Sequence, residues 1–178
     1  MSLDTLLTQV DSISRIPPVD KWSPACCGEL DLTISRDGRW YHEGSPFTNE
    51  KVRRLLSRLL RREADGEHYL VLPQEKWRIH VEDCAFLIVD ADPQDGNWLL
   101  ITDVGDQFLL DETHRLQLSE AVIPSVEVRF GLKARLHRNV FYRLAEVAQA
   151  GGDESIDEMG IISAGIWQPL GRLSAEQL

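Results

Sequence analysis

Residues 30–46 read LDLTISRDGRWYHEGSP, and the reading of this stretch decides the fold. Leu30, Leu32 and Ile34 alternate with polar neighbours, which is the period of a strand with one buried face. Asp37-Gly38 is a hairpin signal, because glycine takes the positive φ that tight turns need. Residues 39–43 return as a second strand, and Gly44-Ser45-Pro46 is expected to break it.

Working outward, Thr48 or Asn49 can cap a helix with Glu50 in its first turn. Val52, Leu55, Leu56, Leu59 and Leu60 form one apolar stripe, and Lys51, Arg53, Arg54, Arg58, Arg61 and Arg62 fill the polar face. Asp65-Gly66 is expected to end this helix. Strands at 68–72 and 77–82 follow. Upstream, Leu3, Leu6, Leu7, Val10 and Ile13 fall at helical spacing, and Pro17-Pro18 stops that segment. Downstream, strands are expected at 85–89, 98–102, 107–110, 116–118, 125–130 and 133–136, with a turn at 93–97. A second helix spans 139–149, with Val140, Phe141, Leu144, Val147 and Ala148 inward, and Gly151-Gly152 stops it. An acidic loop at 153–158 leads to an apolar tail at 159–167. Mixed elements that do not alternate strand–helix–strand predict an α+β fold with antiparallel sheets. The expected organisation is an N-terminal amphipathic helix at 1–16 and two similar sheet-plus-helix domains at 17–84 and 85–178.

The 178 residues carry 19 Lys+Arg and 29 Asp+Glu, a formal charge of −10, with 43% hydrophobic residues. This is an ordinary globular composition and excludes collagen-like and disordered chains. No apolar run reaches the roughly 20 residues of a membrane helix, and the N-terminus does not read as a signal peptide. The acidic balance argues against a nucleic-acid polymer or an anionic membrane as partner. Cys26, Cys27 and Cys84 form an odd set, which reads as reduced and cytoplasmic. Zinc would need Cys-x-x-Cys or His at ligand spacing, so neither metal nor cofactor is expected, and Cys26, Cys27 and His42 are only a minor candidate set.

A longer pattern resembles a known family. Its pieces are Pro17-Pro18-Val19 with Trp22 and Pro24, residues 28–34, Asp37-Gly38-x-Trp40 and Glu43-Gly44-Ser45-Pro46. Pro73-x-Glu75-Lys76, Ile79-x-Val81-Glu82-Asp83 and Phe86 follow. Then come Val128-Arg129-x-Gly131-Leu132-x-Ala134, Arg138-x-Val140-Phe141-Tyr142 and Gly165-x-Trp167. In this order, across about residues 16–171, they resemble the bacterial domain-of-unknown-function family 1285. The resemblance implies a duplicated fold whose second domain is a pleckstrin-homology-like sheet capped by a helix. It also implies a candidate site at the domain interface for a nucleotide-like ligand and a role in signalling, under oxidative stress, and it brings no enzyme activity with it.

Charge placement supplies the candidate residues. Residues 90–112 hold seven acids and no Lys or Arg, whereas residues 129–143 hold five basic residues and no acid. Residues 1–89 net −2 (12 basic, 14 acidic) and residues 90–178 net −8 (7 basic, 15 acidic). Arg129, Arg135 and Arg138 could bind phosphate or carboxylate through guanidinium forks, with Lys76 adding a point charge. Trp40, Tyr41 or Tyr142 could offer a flat face to a base, and His42 and His137 lie beside them. Residues 90–96 fail the EF-hand register and read as a hairpin turn. Ser45 and Ser163 lack the nucleophile-elbow context, so no catalytic set assembles and no enzyme is expected. The leading expectation is a cytoplasmic ligand-binding or sensing protein for an anionic small molecule. The alternative is a protein-interaction adaptor that docks a signalling partner.

Overall fold

The computed structural model describes residues 3–10, 15–120, 122–151 and 157–172. Two units divide the chain: residues 1–85 with Arg129–Leu132, and residues 86–128 with 133–178.

In the first unit the expected alternation becomes β1 (Cys26–Ile34), with Leu30, Leu32 and Ile34 buried. β2 (Trp40–His42) pairs back antiparallel, Ile34 against Trp40. Gly44-Ser45-Pro46 does not end the sheet. Glu43 (φ 49°) and Gly44 (φ 76°) both take left-handed conformations, which twist the chain into a second tight hairpin. β3 (Ser45–Pro46) therefore pairs with β2. Asn49 caps α2 (Glu50–Ser57), its side chain accepting from the Val52 N–H.

The helix expected to run up to Asp65-Gly66 stops at Ser57. β4 (Leu60–Arg62) instead pairs antiparallel with β5 (His68–Val71), Leu60 against Leu70. The ladder buries Leu59 and Leu60 completely. Gly66 (φ 86°) serves the β4–β5 turn and not a helix cap. β6 (Glu75–Val81) pairs antiparallel with β5 and parallel with β1. At the β1–β6 seam a Cβ on Gly28 would lie 2.2 Å from the Trp77 ring, so the indole occupies the space a side chain would need. α1 (Leu3–Val10) buries Leu3 and Leu6, whereas Ile13 lies outside the described residues.

In the second unit β7 (Phe86–Gln94) and β8 (Asn97–Thr102) form a hairpin whose turn is only Asp95-Gly96, so Pro93 sits within the ladder. β9 (Gln107–Leu109), β10 (Leu116–Gln117), β11 (Ser125–Arg129) and β12 (Leu132–Leu136) complete the sheet. α3 (Arg138–Glu146) follows, capped by His137 and burying Val140 and Leu144. It ends before the expected residue 149 because β13 (Gln149–Ala150) pairs with β14 (Glu158–Ser163). Val147, expected inward, is exposed as a result. The apolar tail is a hairpin of β14 with β15 (Ile166–Arg172), turned by Ala164 and Gly165. Gly152 and the acidic loop up to residue 156 lie outside the described residues.

The two main sheets share one strand order. The first reads β3-β2-β1-β6-β5-β4 and the second, reversed, β9-β8-β7-β12-β11-β10. Shifting every label of the first by six gives the second. The pairing is antiparallel except at the centre, where β1–β6 and β7–β12 run parallel. A parallel pair needs a long crossover, and each is bridged by the four strands between its members. The helices break the symmetry: α2 lies between the third and fourth strands of its unit, whereas α3 follows the sixth. The second unit is thus a sheet followed by a capping helix.

Two buried polar side chains tie the small β13–β15 sheet to the main sheet of the second unit. Ser163 Oγ donates to the Leu110 carbonyl at 2.6 Å and accepts the Trp98 N–H at 2.8 Å. Gln168 Oε1 accepts the Leu116 N–H at 2.9 Å, and its Nε2 donates to the Asp111 carbonyl at 3.1 Å. Both side chains are fully buried, and all four of their bonds are to backbone groups.

Candidate functional site

The basic residues assigned to a helix face are divided by the end of α2, and this builds the first unit's candidate site. Alternation along β4 sends Arg61 and Arg62 to opposite faces. Arg61 donates to the Val19 and Trp22 carbonyls and to Glu63. The second Glu63 oxygen takes Lys76 Nζ at 2.6 Å, and the same ammonium lies 4.4 Å from the Tyr69 ring centroid. Tyr69 in turn donates its hydroxyl to Asp65 at 2.8 Å. Arg62 is different: its Nε donates to the Gly66 carbonyl at 3.2 Å, and its backbone N–H to the Phe130 carbonyl at 3.0 Å. An open cleft of about 410 Å³ is lined by Asp20, Arg61, Arg62, Glu63, Ala64 and Phe130.

The electrostatics follow from these contacts. Burial works to raise the Glu63 pKa, but the Lys76 and Arg61 hydrogen bonds outweigh it and hold the carboxyl below its usual range. The bond to Asp65, aided by burial, pushes Tyr69 up to about 12. Burial, with the Arg62 charge second, pushes His68 down to about 4.

A folded-state pKa below the unfolded value of about 6.5 means that protons bind preferentially to the unfolded chain. The His68 contribution is therefore present above pH 6.5 and is lost as pH falls from 6.5 towards 4. With solvent screening at a half-buried ring, the wild type is expected to lose about 1–2 kcal/mol more than His68→Gln between pH 7 and 5. Urea melts at the two pH values measure this difference. Parallel profiles for the two proteins would contradict it.

Of the sequence-predicted site residues, Trp40, His42, Lys76 and Arg129 belong to the first unit, and Arg135, His137, Arg138 and Tyr142 to the second. Trp40 is 2% exposed and is a core residue, so it offers no open face to a base. His42 is half-buried on β2, opposite Leu32 on one side and Ser45 on the other. Lys76 is held by Glu63, and Arg129 donates to the Ser57 carbonyl at 3.1 Å. Arg135 donates to the Ile123 carbonyl at 2.7 Å, and His137 accepts the Asn139 N–H as the cap of α3. Arg138 and Tyr142 are exposed on α3. None of these residues lines the Arg61–Phe130 cleft. The pieces that sequence reasoning missed are Arg61, Arg62 and Glu63, and the signal for them was a strand hidden inside an apparent helix. Among the described residues no group of three or more His, Cys, Asp and Glu could hold a metal, and Cys26 and Cys27 are exposed.

One strand order used twice, with a single main helix in each unit, defines a duplicated α+β protein. The chain belongs to the DUF1285 family. Residues 17–84 match its N-terminal domain of unknown function, and residues 85–170 match its C-terminal domain. The chain is similar to the crystal structure of a DUF1285 family protein from Silicibacter pomeroyi DSS-3, at 34% identity and a TM-score of 0.82, covering 96% of this chain and 97% of that one. A second crystal structure, of a DUF1285 family protein from Shewanella baltica OS155, shares the fold at 24% identity and a TM-score of 0.56, covering 66% and 91%. No curated protein is significantly similar to the chain.

Proposed function

We propose that the protein binds an anionic, nucleotide-like small molecule and acts as a ligand sensor in cytoplasmic signal transduction. The observation that carries this reading is the cleft where Arg62 stands beside Phe130. A guanidinium can pair with a phosphate, and an aromatic ring can take a base. An odd set of three cysteines with no disulfide among them supports the cytoplasmic placement. Among the described residues no helix is long and apolar enough to cross a membrane.

The test is a thermal-shift series on the full chain with millimolar nucleoside mono-, di- and triphosphates. Specific binding stabilises by mass action, by about 2.7 kcal/mol at a hundredfold excess over Kd. A rise in midpoint that Arg62→Ala removes is the expected result. No rise with any nucleotide, or a rise that survives both Arg62→Ala and Arg138→Ala, would overturn the reading. The adaptor reading draws on Tyr142, Val147 and Ile162, which are 57%, 53% and 56% exposed. It requires a stoichiometric partner whose capture is insensitive to Arg62→Ala but lost when these apolar positions become polar.

A further inference from the structure

The second unit contains a concavity of about 580 Å³, lined by Leu118, Ser119, Glu120, Val122, Phe141, Met159, Gly171 and Arg172. Its volume falls within the roughly 300–1,000 Å³ of small-molecule sites. Leu118, Phe141 and Met159 are half-buried, and Val122 is 81% exposed, so four apolar side chains border open space.

Gly171 is the informative residue. It sits within β15 directly opposite Met159 of β14. Its backbone does not adopt the left-handed conformation that favours glycine, and among the described residues a Cβ there would meet nothing within 4 Å. The ladder slips beside it, from Met159–Gly171 to Gly160–Pro169, so Leu170 is the extra residue of a bulge, a common setting for a strand glycine. Beside that bulge, the missing Cβ of Gly171 also leaves room on the concavity for another molecule to approach the strand.

Two charges border the same space. No hydrogen bond or ion pair holds the Glu120 or Arg172 side chain among the described residues. Glu158 lies opposite Arg172 in the ladder, but its carboxylate takes the Trp167 indole N–H at 3.2 Å. One cation, one anion and an apolar wall together complement a zwitterion with an apolar body.

We propose that this concavity is a second binding site, distinct from the Arg61–Phe130 cleft, for a free α-amino acid with a large apolar side chain. The ligand carboxylate pairs with Arg172, its ammonium with Glu120, and its side chain covers Met159 and fills the space left by Gly171. The chain has two methionines, Met1 and Met159, so a methyl-labelled sample of the full chain carries one reporter inside the site.

L-Phenylalanine at millimolar concentration is expected to shift the Met159 methyl resonance saturably. N-Acetyl-phenylalanine, which lacks the ammonium, and phenylalaninamide, which lacks the carboxylate, should each bind at least tenfold more weakly. Gly171→Leu should abolish the ligand-induced shift while leaving the thermal midpoint within a few degrees. Arg172→Gln, at an exposed position, should weaken binding at least tenfold without touching the apolar wall. Absence of a saturable shift, a shift that survives both variants, or equal binding of the two blocked derivatives would overturn the proposal.

Discussion

Gln168→Leu is expected to lower the stability of the second unit by about 2–6 kcal/mol. The substitution keeps the approximate size of a fully buried side chain and removes both of its polar ends. The Leu116 N–H and the Asp111 carbonyl then lose the partners they have at 2.9 and 3.1 Å. A buried backbone group left without a partner costs about 1–3 kcal/mol, which gives the range for two. The apolar gain of leucine does not offset this, because the orphaned groups stay in place. Urea unfolding measures the loss. Gln168→Glu separates hydrogen bonding from packing. It keeps an acceptor for Leu116 but presents a carboxylate to the Asp111 carbonyl at neutral pH. Protonation restores a donor, so a buried carboxyl with a raised pKa should bring this variant closer to wild type at pH 5 than at pH 7. A loss below about 1 kcal/mol for Gln168→Leu, or a pH-independent deficit for Gln168→Glu, would show that the side chain is not the tie it looks like.

The contrast between Gln168 and residues 30–34 shows what was legible in the sequence. Leu30, Leu32 and Ile34 announce their strand because the period of two is local and each leucine or isoleucine is buried where alternation puts it. The strand order is not local. Two groups of three strands meeting through a parallel centre follow from pairings across more than 40 residues, so an antiparallel sheet was the nearest local reading. Residues 55–60 failed for a different reason. Leu55, Leu56, Leu59 and Leu60 fit a helical stripe, yet Leu60 also alternates with Arg61. The ladder with Leu70 decides between them, and Leu70 lies ten residues away.

The site was less legible than the fold. The basic run at 129–143 looked convergent, but two of its four arginines are spent on backbone carbonyls, Arg129 on Ser57 and Arg135 on Ile123, while Arg143 pairs with Asp90 and Arg138 is exposed on α3. A guanidinium bound to a main-chain oxygen leaves no mark in composition. Trp40 was read as an aromatic face and is core, because the ladder with Ile34 turns it inward. The ties formed by Ser163 and Gln168 did leave a signal. Each occupies the buried phase of an otherwise apolar alternation, Ser163 with Ile161 and Gln168 with Leu170. A polar residue in that phase needs a fixed partner.

Arg61→Met carries the second large expectation, a loss of about 3 kcal/mol from the first unit. Methionine preserves the apolar stem and removes every donor, so the measurement isolates the guanidinium. The Trp22 carbonyl loses its bond at 2.8 Å, and the Val19 carbonyl keeps only the weaker 3.4 Å bond from the Trp22 N–H. Glu63 keeps Lys76 and loses Arg61, while its side chain is only 20% exposed. Removing one partner of a buried pair costs about 3–5 kcal/mol, and the remaining Lys76 contact places this case at the low end. The sign of the second-site effect is decisive. In Glu63→Gln the carboxylate is already gone, so adding Arg61→Met should cost less than it does in the wild type, by at least about 1 kcal/mol in a double-mutant cycle. Additive losses would mean that Arg61 acts only through the two carbonyls and that the Arg61–Glu63–Lys76 cluster is not a coupled unit. The same cycle read at pH 7 and pH 4 adds a check with a fixed direction. Glu63 has a lowered pKa, so its contribution is present above the ordinary carboxylate range and is lost as pH falls through it. The coupling between Arg61 and Glu63 should therefore shrink at low pH. A coupling that grew on acidification would require a different arrangement around β4.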